Sequence, residues 1–222
     1  MKKYLMLILI LLMFVCSGCS NNNSALEFKK DYESINGTTN KNGKEHRTVT
    51  ISEDNPYEKV QAKDILDRID KKETFYVYFG DKLCPWCRSV IEKSIEIASK
   101  NKITKIYYVP IWNDDGEEIL RDKFELVDGE LTKTIEGASE YQKLLQVFEP
   151  LLSEYNLTDS EGNKIATGEK RIYAPNFIYI EKGVPKRLVT GISEKQTDSR
   201  GELTKEILED ETNIFQEFFK NE

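Results

Sequence analysis

The sequence predicts an α/β domain in which helices flank a central mixed sheet. Residues 75–79 form an aromatic and β-branched run that is typical of a buried strand. Apolar positions at near-helical spacing follow up to Lys100, and residues 103–111 form a second apolar run, which together indicate a parallel βαβ unit. Residues 176–180 and 187–190 flank a short Gly-containing turn and predict an antiparallel hairpin, so the sheet is mixed.

Three further elements are predicted from local patterns. Residues 48–51 are rich in β-branched side chains and predict a first strand, and the apolar spacing in residues 57–70 predicts an amphipathic helix. The apolar positions in residues 202–220 predict a C-terminal helix. No internal repeat is visible, so we expect one folded domain over residues 47–222.

An insertion separates the two halves of the predicted sheet. Residues 113–172 begin with an acidic, turn-like stretch. Residues 139–155 have the apolar period of a helix, and residues 158–169 read as a polar loop. We therefore expect this insertion to be largely helical.

The composition is that of an acidic protein of ordinary hydrophobic content. Hydrophobic residues make up 39% of the chain and charged residues 32%, and the formal net charge is −7. Because phosphate contacts need clustered Lys and Arg, this charge argues against nucleic-acid binding. It also argues against electrostatic adhesion to anionic lipid, so a membrane attachment must come from another feature.

The N-terminus has the pattern of an export signal. Lys2 and Lys3 precede a nearly pure apolar run over residues 4–15, which is the length of a signal-peptide core. A stable transmembrane helix needs about 20 apolar residues, and this run is shorter. We therefore expect residues 1–18 to be a cleaved signal peptide and the domain to be extracytoplasmic.

Residues 15–19, Val-Cys-Ser-Gly-Cys, resemble a bacterial lipoprotein signal. In that class the chain is cut before the cysteine that carries the lipid, so the resemblance implies acylation of Cys19, for example with palmitate. Cys16 departs from the pattern, since such signals usually carry Leu there. Two acyl chains would hold the protein at the outer face of the cell membrane, with residues 19–46 as a flexible, polar tether. The alternative is an ordinary secretory signal with Cys19 unmodified.

Of the four cysteines, only two remain for chemistry in the exported domain. Cys16 leaves with the signal and Cys19 takes the lipid, which leaves Cys84 and Cys87 in a compartment where disulfides persist. A disulfide between residues so close in sequence closes a very short loop and stabilises the fold little. The pair is therefore better explained by reactivity than by stability.

The position of Cys84 at a predicted helix start indicates what that reactivity is. Unpaired N–H groups and the helix dipole stabilise an anion there, so we expect Cys84 to have a lowered pKa and to react as a thiolate. Pro85 suits a first helical turn. Cys87, one turn later, should be more buried and less nucleophilic. We expect Cys84 to attack a substrate disulfide and Cys87 to resolve the mixed disulfide that results.

A zinc half-site and an inert buried pair are the alternative explanations of this motif. A structural zinc site needs about four Cys or His ligands. The mature domain offers two cysteines and a single histidine, His46, far away in sequence. The same lone histidine argues against a Cys–His nucleophile pair. A CxxC between a buried strand and a helix is a stronger redox signal than an isolated one.

Residues 75–93, with Gly80 and the Cys-Pro-Trp-Cys motif, resemble the active-site segment of the thioredoxin superfamily. Residues 174–178 resemble that family's second landmark, a cis-proline that opens a strand facing the two cysteines. The similarity covers residues 47–112 and 172–220. Within the superfamily it is greatest to thioredoxin-like lipoproteins and bacteriocin-transport accessory proteins of Gram-positive bacteria.

The resemblance implies a thioredoxin-like fold and a thiol–disulfide oxidoreductase. Cys84 would be the nucleophile and Cys87 the resolving cysteine, and their redox-active disulfide would serve in place of a cofactor or metal. The partners would be thiols or disulfides of exported proteins or peptides and a membrane redox partner, and we expect a monomer. The residues expected to bind the substrate are Pro85, Trp86, Ala174 and the cis-proline Pro175.

The chain departs from typical thioredoxins close to the motif. Tyr78 stands where they carry a buried Asp, Leu83 stands where they carry Trp, and Pro-Trp replaces Gly-Pro between the cysteines. We expect Trp86 to be exposed as part of a docking surface for substrates. Six charged side chains either tune the thiolate or are simply solvated surface charges. Lys82, Arg88, Lys170 and Arg171 would stabilise the thiolate, whereas Asp81 and Glu169 would oppose it.

A second functional hypothesis is a non-catalytic accessory module. The fold would then hold a secreted peptide such as a bacteriocin, and residues 113–172 would be the recognition element. Replacement of Cys84 by Ala separates the two hypotheses, because only the enzyme would lose its activity.

Overall fold

The computed structural model describes residues 19–220, with side chains described from Asn23 onward. The predicted signal peptide, residues 1–18, and Cys16 within it lie outside the described residues. None of the helices in the described part is long and apolar enough to cross a membrane. In chain order the elements are α1 (Cys19–Glu33), β1 (Tyr57–Lys59), α2 (Ala62–Asp70), β2 (Phe75–Gly80), α3 (Pro85–Lys100), β3 (Ile106–Pro110), β4 (Lys123–Val127), β5 (Glu130–Ile135), α4 (Ser139–Phe148), a 3₁₀ helix (Glu149–Leu151), β6 (Ser153–Thr158), β7 (Lys164–Arg171), β8 (Asn176–Glu181), β9 (Val184–Val189) and α5 (Lys205–Phe218).

A five-stranded sheet in the order β1-β3-β2-β8-β9 forms the centre of the fold. β3 runs parallel to both β1 and β2, whereas β8 is antiparallel to β2 and β9 is antiparallel to β8. In the register, Val77 of β2 lies between Tyr107 of β3 and Ile178 of β8. The predicted α/β class with a mixed sheet, its βαβ unit and its hairpin are therefore confirmed.

Helices cover both faces of this sheet, as the alternation of side chains along β2 makes clear. Tyr76 and Tyr78 point to the face that packs against α1, α3 and α5, whereas Phe75, Val77 and Phe79 point to the face that packs against α2 and α4. Every residue of β2 is buried. A strand buried on both faces reads as a continuous apolar run, which is why this one is recognisable in the sequence.

The predicted flexible tether over residues 19–46 is wrong. α1 packs on the sheet: Phe28 stacks on Tyr57 with ring centroids 4.4 Å apart, and Tyr32 is completely buried. Ala25, Phe28 and Tyr32 recur at helical spacing, so α1 has an apolar face in spite of its polar composition. The folded body therefore starts well before the expected boundary at residue 47.

The predicted strand at residues 48–51 and the helix at residues 57–70 also need correction. Val49 and Ile51 are buried, but their N–H groups bond to the side chains of Asn36 and Glu33, at 3.1 and 2.8 Å, and not to a neighbouring strand. The edge strand β1 instead occupies the beginning of the predicted helix, and α2 begins only afterwards.

The insertion at residues 113–172 is not largely helical. It holds two antiparallel hairpins, β4–β5 and β6–β7, around a single α-helix, α4, and its short 3₁₀ extension. Most side chains of these hairpins are at least partly exposed, which agrees with the many polar residues in their strands. The segment expected to be a polar loop, residues 158–169, is instead the turn and second strand of the β6–β7 hairpin.

Candidate functional site

Cys84 is the N-terminal cap of α3. Its backbone is extended, with φ −74° and ψ 117°, and Pro85 fills the first helical position, where a missing N–H costs nothing. The N–H of Cys87 donates to the Cys84 Sγ at 3.3 Å. The sulfur of Cys84 thus takes the place of a capping oxygen, among N–H groups that favour a negative charge.

The two thiols differ in acidity. Both are free, and Cys84 is 4% exposed while Cys87 is 0% exposed. A hydrogen bond with the Cys87 thiol lowers the pKa of Cys84 against the effect of burial, and the N–H groups of Cys87 and Trp86 lower it further. Burial raises the pKa of Cys87 well above that of an ordinary thiol, and the neighbouring Cys84 raises it further. The expectation that Cys87 is the more buried cysteine is confirmed.

The loop before β8 faces the Cys84 thiol. The Cys84 Sγ donates to the carbonyl oxygen of Ala174 at 3.5 Å. The Ala174–Pro175 peptide bond is cis, as the resemblance implied. The N–H of Tyr173 donates to Asn176 Oδ1 at 2.6 Å, which ties the two ends of this loop together. The structure therefore brings Ala174 and Pro175 to the cysteine pair, and their part in binding a substrate stays a prediction.

Two tyrosines lie behind the inner cysteine. Tyr78 of β2 belongs to the same buried cluster as Cys87, and its side chain lowers the pKa of the Cys87 thiol. Its hydroxyl is 2.8 Å from the hydroxyl of Tyr32, which comes from α1. Tyr32 is a site residue that our sequence reasoning missed, and the signal that could have found it is its spacing from Phe28 and Ala25 on one helical face.

A buried carboxylate, Asp81, shapes the loop just before the motif. It accepts hydrogen bonds from the N–H of Leu83 at 2.9 Å and from the N–H of Trp112 at 3.3 Å. Burial raises the pKa of Asp81 to about 6, against these two hydrogen bonds. When charged, Asp81 raises the pKa of Cys84, so the expectation that it opposes the thiolate agrees with the structure.

The two cations nearest the motif in sequence bond to groups other than the sulfurs. Lys82 forms ion pairs with Asp31 at 2.7 Å and with Asp114 at 2.6 Å. Arg88 is completely buried and donates to backbone carbonyl oxygens, among them that of Tyr32 at 2.8 Å. Neither is a solvated surface charge, and both hold α1 against the loop that carries the cysteines.

The charged residues of β7 also have structural partners. Lys170 pairs with Glu149 at 2.7 Å. Arg171 is buried, pairs with Glu118 at 3.5 Å and donates to the carbonyl oxygen of Asp122 at 2.5 Å. Glu169 is exposed.

A cavity of about 450 Å³ lies between the β6–β7 hairpin, the loop before β8 and the end of β9. Tyr173 and Asn176, which flank the cis-proline loop, form part of its wall. Trp86 is half-buried against the core, so the expectation that it is exposed is wrong, and Pro85 is likewise half-buried. The other residues that line the cavity are Ser153, Glu154, Asn156, Thr158, Lys164, Arg171, Leu188 and Thr190.

Comparison with models of known protein families gives no match for this chain. Comparison with curated protein sequences gives no similar sequence either. Within residues 19–220, no three His, Cys, Asp or Glu side chains lie close enough together to hold a metal ion.

Proposed function

We propose that the protein is a thiol–disulfide oxidoreductase with a thioredoxin-like fold, acting on exported proteins or peptides. The observation that carries the proposal is the unequal pair of cysteines at the start of α3. Cys84 caps the helix and has a lowered pKa, whereas Cys87 is buried and has a raised pKa. A nucleophile and a resolving thiol need this difference in pKa. The nucleophile has to be ionised before the substrate binds, whereas the resolving thiol has to stay protonated until the mixed disulfide has formed.

The reaction proceeds by two exchanges of sulfur bonds. The Cys84 thiolate attacks a substrate disulfide, forms a mixed disulfide and displaces one substrate sulfur, which leaves with the electron pair and takes up a proton. Cys87 then attacks the Cys84 sulfur and releases the second substrate thiol. Two electrons have passed from the cysteine pair to the substrate, and the reverse sequence oxidises a substrate dithiol. The proposal needs a membrane redox partner that restores the starting state of the pair.

The proposed location is the outer face of the cell membrane, with a lipid on Cys19. Cys19 opens α1, and α1 packs on the sheet, so the anchor and the folded body would be joined by a helix. A helix of 15 residues is about 22 Å long. The domain would therefore sit close to the membrane surface. A Cys19→Ser change should release the protein from the cell membrane into the medium.

Trapping of substrates tests the proposed activity. In Cys87→Ser the mixed disulfide between Cys84 and a substrate cannot be resolved, so it should accumulate and appear as a species that a reductant dissociates. Cys84→Ser is the matched control, because it keeps one cysteine of the pair but removes the nucleophile. Equal trapping by both variants, or by neither, would contradict the assigned roles.

The cavity beside the cis-proline loop supports the second candidate function, which is an accessory module that binds a secreted peptide. Its walls combine apolar surface with polar side chains such as Asn156 and Tyr173, and this mixed surface suits a peptide whether or not the cysteines react. Binding of a secreted peptide that persists unchanged in Cys84→Ala, together with no disulfide exchange by the unmodified protein, would favour this candidate.

A further inference from the structure

Two buried hydroxyls, those of Tyr32 on α1 and Tyr78 on β2, lie in the cluster that contains Cys87. Neither has a part in the reaction steps described above. Tyr32, Tyr78 and Cys87 are all completely buried. The Tyr32 and Tyr78 hydroxyls are 2.8 Å apart, Tyr78 and Cys87 belong to one buried cluster, and the Tyr78 side chain lowers the pKa of Cys87. A phenol has one proton to donate, so when Tyr78 donates to the sulfur, its oxygen remains free to accept from Tyr32.

Gly80 makes room for the Tyr78 ring. A Cβ at position 80 would lie 2.1 Å from both the Cζ and the hydroxyl oxygen of Tyr78, so any larger residue would displace the ring. Gly80 and Tyr78 share one face of β2, because they are two residues apart. What glycine supplies here is space beside the phenol, and that space lets the hydroxyl reach toward the motif loop.

Tyr32 is fixed in place through both its ring and its backbone. Its ring packs against Phe28 with centroids 4.5 Å apart, and its carbonyl oxygen accepts from Arg88 at 2.8 Å. Arg88 follows Cys87 directly in α3. The hydroxyl of Tyr32 is therefore held relative to the cysteines by the helix that carries them.

We propose that Tyr78 is a catalytic hydrogen-bond donor to the Cys87 sulfur, and that Tyr32 is a positioning residue that orients Tyr78. This inference rests on the proposed function, because Cys87 must become a thiolate only if the pair exchanges disulfides. A hydrogen bond to a buried thiolate is charge-assisted and stabilises the attacking form. The Tyr78 hydroxyl would then stabilise the thiolate of Cys87, as the N–H groups of α3 stabilise the thiolate of Cys84.

The step that Tyr78 assists is the resolution of the mixed disulfide. Cys87 gives up its proton, and its sulfur attacks the Cys84 sulfur to form the internal disulfide. The bond between Cys84 and the substrate sulfur breaks, and the substrate sulfur leaves with the electron pair and takes up the released proton. Tyr78 keeps its own proton throughout, so both phenols are unchanged after turnover.

Besides Tyr78, a hydrogen bond with the backbone of Asp81 lowers the pKa of Cys87, whereas the acidic side chains nearby disfavour its thiolate. A negative charge on Cys84 opposes one on Cys87. The Asp81 carboxylate raises the pKa of Tyr108 and of Tyr32 in the same cluster, so it too makes the region less favourable for an anion. Tyr57 pairs its hydroxyl with Ser94 at 2.7 Å. That pairing makes Tyr57 a suitable control.

The experiment compares Tyr78→Phe, Tyr32→Phe and the matched control Tyr57→Phe in the complete chain. Each change removes one buried hydroxyl from the same aromatic cluster and keeps the ring, and circular dichroism verifies folding. The first readout is an NMR titration of the Cys87 Cβ in a Cys84→Ser background, which reports the pKa of Cys87 alone. The second is the rate at which substrate leaves the mixed disulfide, measured separately from the rate at which Cys84 first reacts.

Tyr78→Phe should raise the pKa of Cys87 and slow resolution about tenfold or more, as expected for loss of a hydrogen bond to a charged group. Tyr32→Phe should shift both in the same direction by less, and Tyr57→Phe should leave both unchanged. The first reaction of Cys84 should stay the same in all three.

The proposal is overturned if Tyr78→Phe leaves the pKa of Cys87 unchanged, or if Tyr57→Phe shifts it equally. The titration needs no turnover, so it tests the role of Tyr78 separately from the proposed oxidoreductase activity. Failure of the proposed function would leave the unmodified protein unable to form a mixed disulfide. Failure of the present proposal would leave exchange intact and make Tyr78→Phe behave like the control.

Discussion

The guanidinium of Arg88 donates a 2.8 Å hydrogen bond to the carbonyl oxygen of Tyr32 and so joins the helix that carries the cysteines to the N-terminal helix. The same side chain donates to the carbonyl oxygen of Arg47 at 2.7 Å and to Asn36 Oδ1 at 2.6 Å. A single buried cation thus holds three points of the N-terminal segment against α3. These bonds add to the packing of Phe28 and Tyr32 that makes the N-terminal segment part of the folded body.

Arg88→Ala should strongly destabilise the protein. It would leave buried carbonyl oxygens without donors, each at a cost of the order of 1 kcal/mol or more, so we expect a loss of about 3 kcal/mol in the free energy of unfolding. Denaturant unfolding followed by circular dichroism measures this. Lys100→Ala, which breaks an exposed ion pair with Glu96 on the same helix, is the control and should change stability little. Similar losses in both variants would contradict the anchoring role of Arg88.

Replacing Cys87 should make Cys84 less acidic. The hydrogen bond with the Cys87 thiol is the largest of the effects that lower the pKa of Cys84. In Cys87→Ala that bond is lost, so the pH at which Cys84 becomes reactive should move upward. The rate of alkylation of Cys84 as a function of pH measures the shift. An unchanged profile would mean that the N–H groups of α3 alone set the acidity of Cys84.

Glu211 should make the protein less stable as the pH rises. Its two carboxylate oxygens are buried without a hydrogen-bond partner, and burial raises its pKa to about 7, although Lys93 and Arg47 lower it. Because the folded state favours the protonated acid, this stabilisation is complete below the ordinary Glu pKa of 4.5 and is lost as the pH rises through about 7.

Glu211→Gln should therefore raise the free energy of unfolding above pH 7, by about 1 to 3 kcal/mol, and flatten its dependence on pH. Chemical denaturation at a series of pH values measures both effects. Glu209→Gln, an exposed site on the same helix, is the control and should keep the pH dependence of the unmodified protein. A pH dependence that survives in Glu211→Gln would show that another group is responsible.

The cavity beside the cis-proline loop should contribute to the recognition of large substrates. Asn156→Trp would fill part of its 450 Å³, and we expect several-fold slower exchange with a peptide or protein disulfide but an unchanged rate with a small disulfide reagent. Thr132→Trp on the exposed β4–β5 hairpin is the control and should affect neither rate. Slowing of both reactions by Asn156→Trp would indicate a disturbed cysteine site and not a lost binding surface.

The parts of the fold that could be predicted are those whose side chains are buried on a regular period. β2 and β8 are apolar runs because both of their faces are covered, and the apolar spacing of α3 marks the face that it packs on the sheet. The cysteine pair was found from its place between such a strand and such a helix. Pro175 was found through a resemblance and not from its local pattern.

The parts that were missed have weaker local signals. α1 begins with a polar Ser and Asn run that suggests a loop, and its fold depends on a few apolar residues that find partners far away in the chain, such as Tyr57 and Arg88. The strands of the insertion's hairpins carry polar residues on both faces, so their composition does not distinguish them from loops. Tyr78 was noticed as a departure, but its partner Tyr32 is supplied by tertiary structure alone.

A redox titration of Cys84 and Cys87 tests the central claim most directly. The protein is equilibrated in buffers of graded dithiol to disulfide ratio, and free thiols are counted by alkylation and mass spectrometry. We predict that the two cysteines interconvert as one two-electron couple, with a midpoint between about −270 mV, typical of a reductase, and about −120 mV, typical of an oxidant. A pair that stays in one state across that range would contradict the proposed oxidoreductase and leave the peptide-binding module in its place.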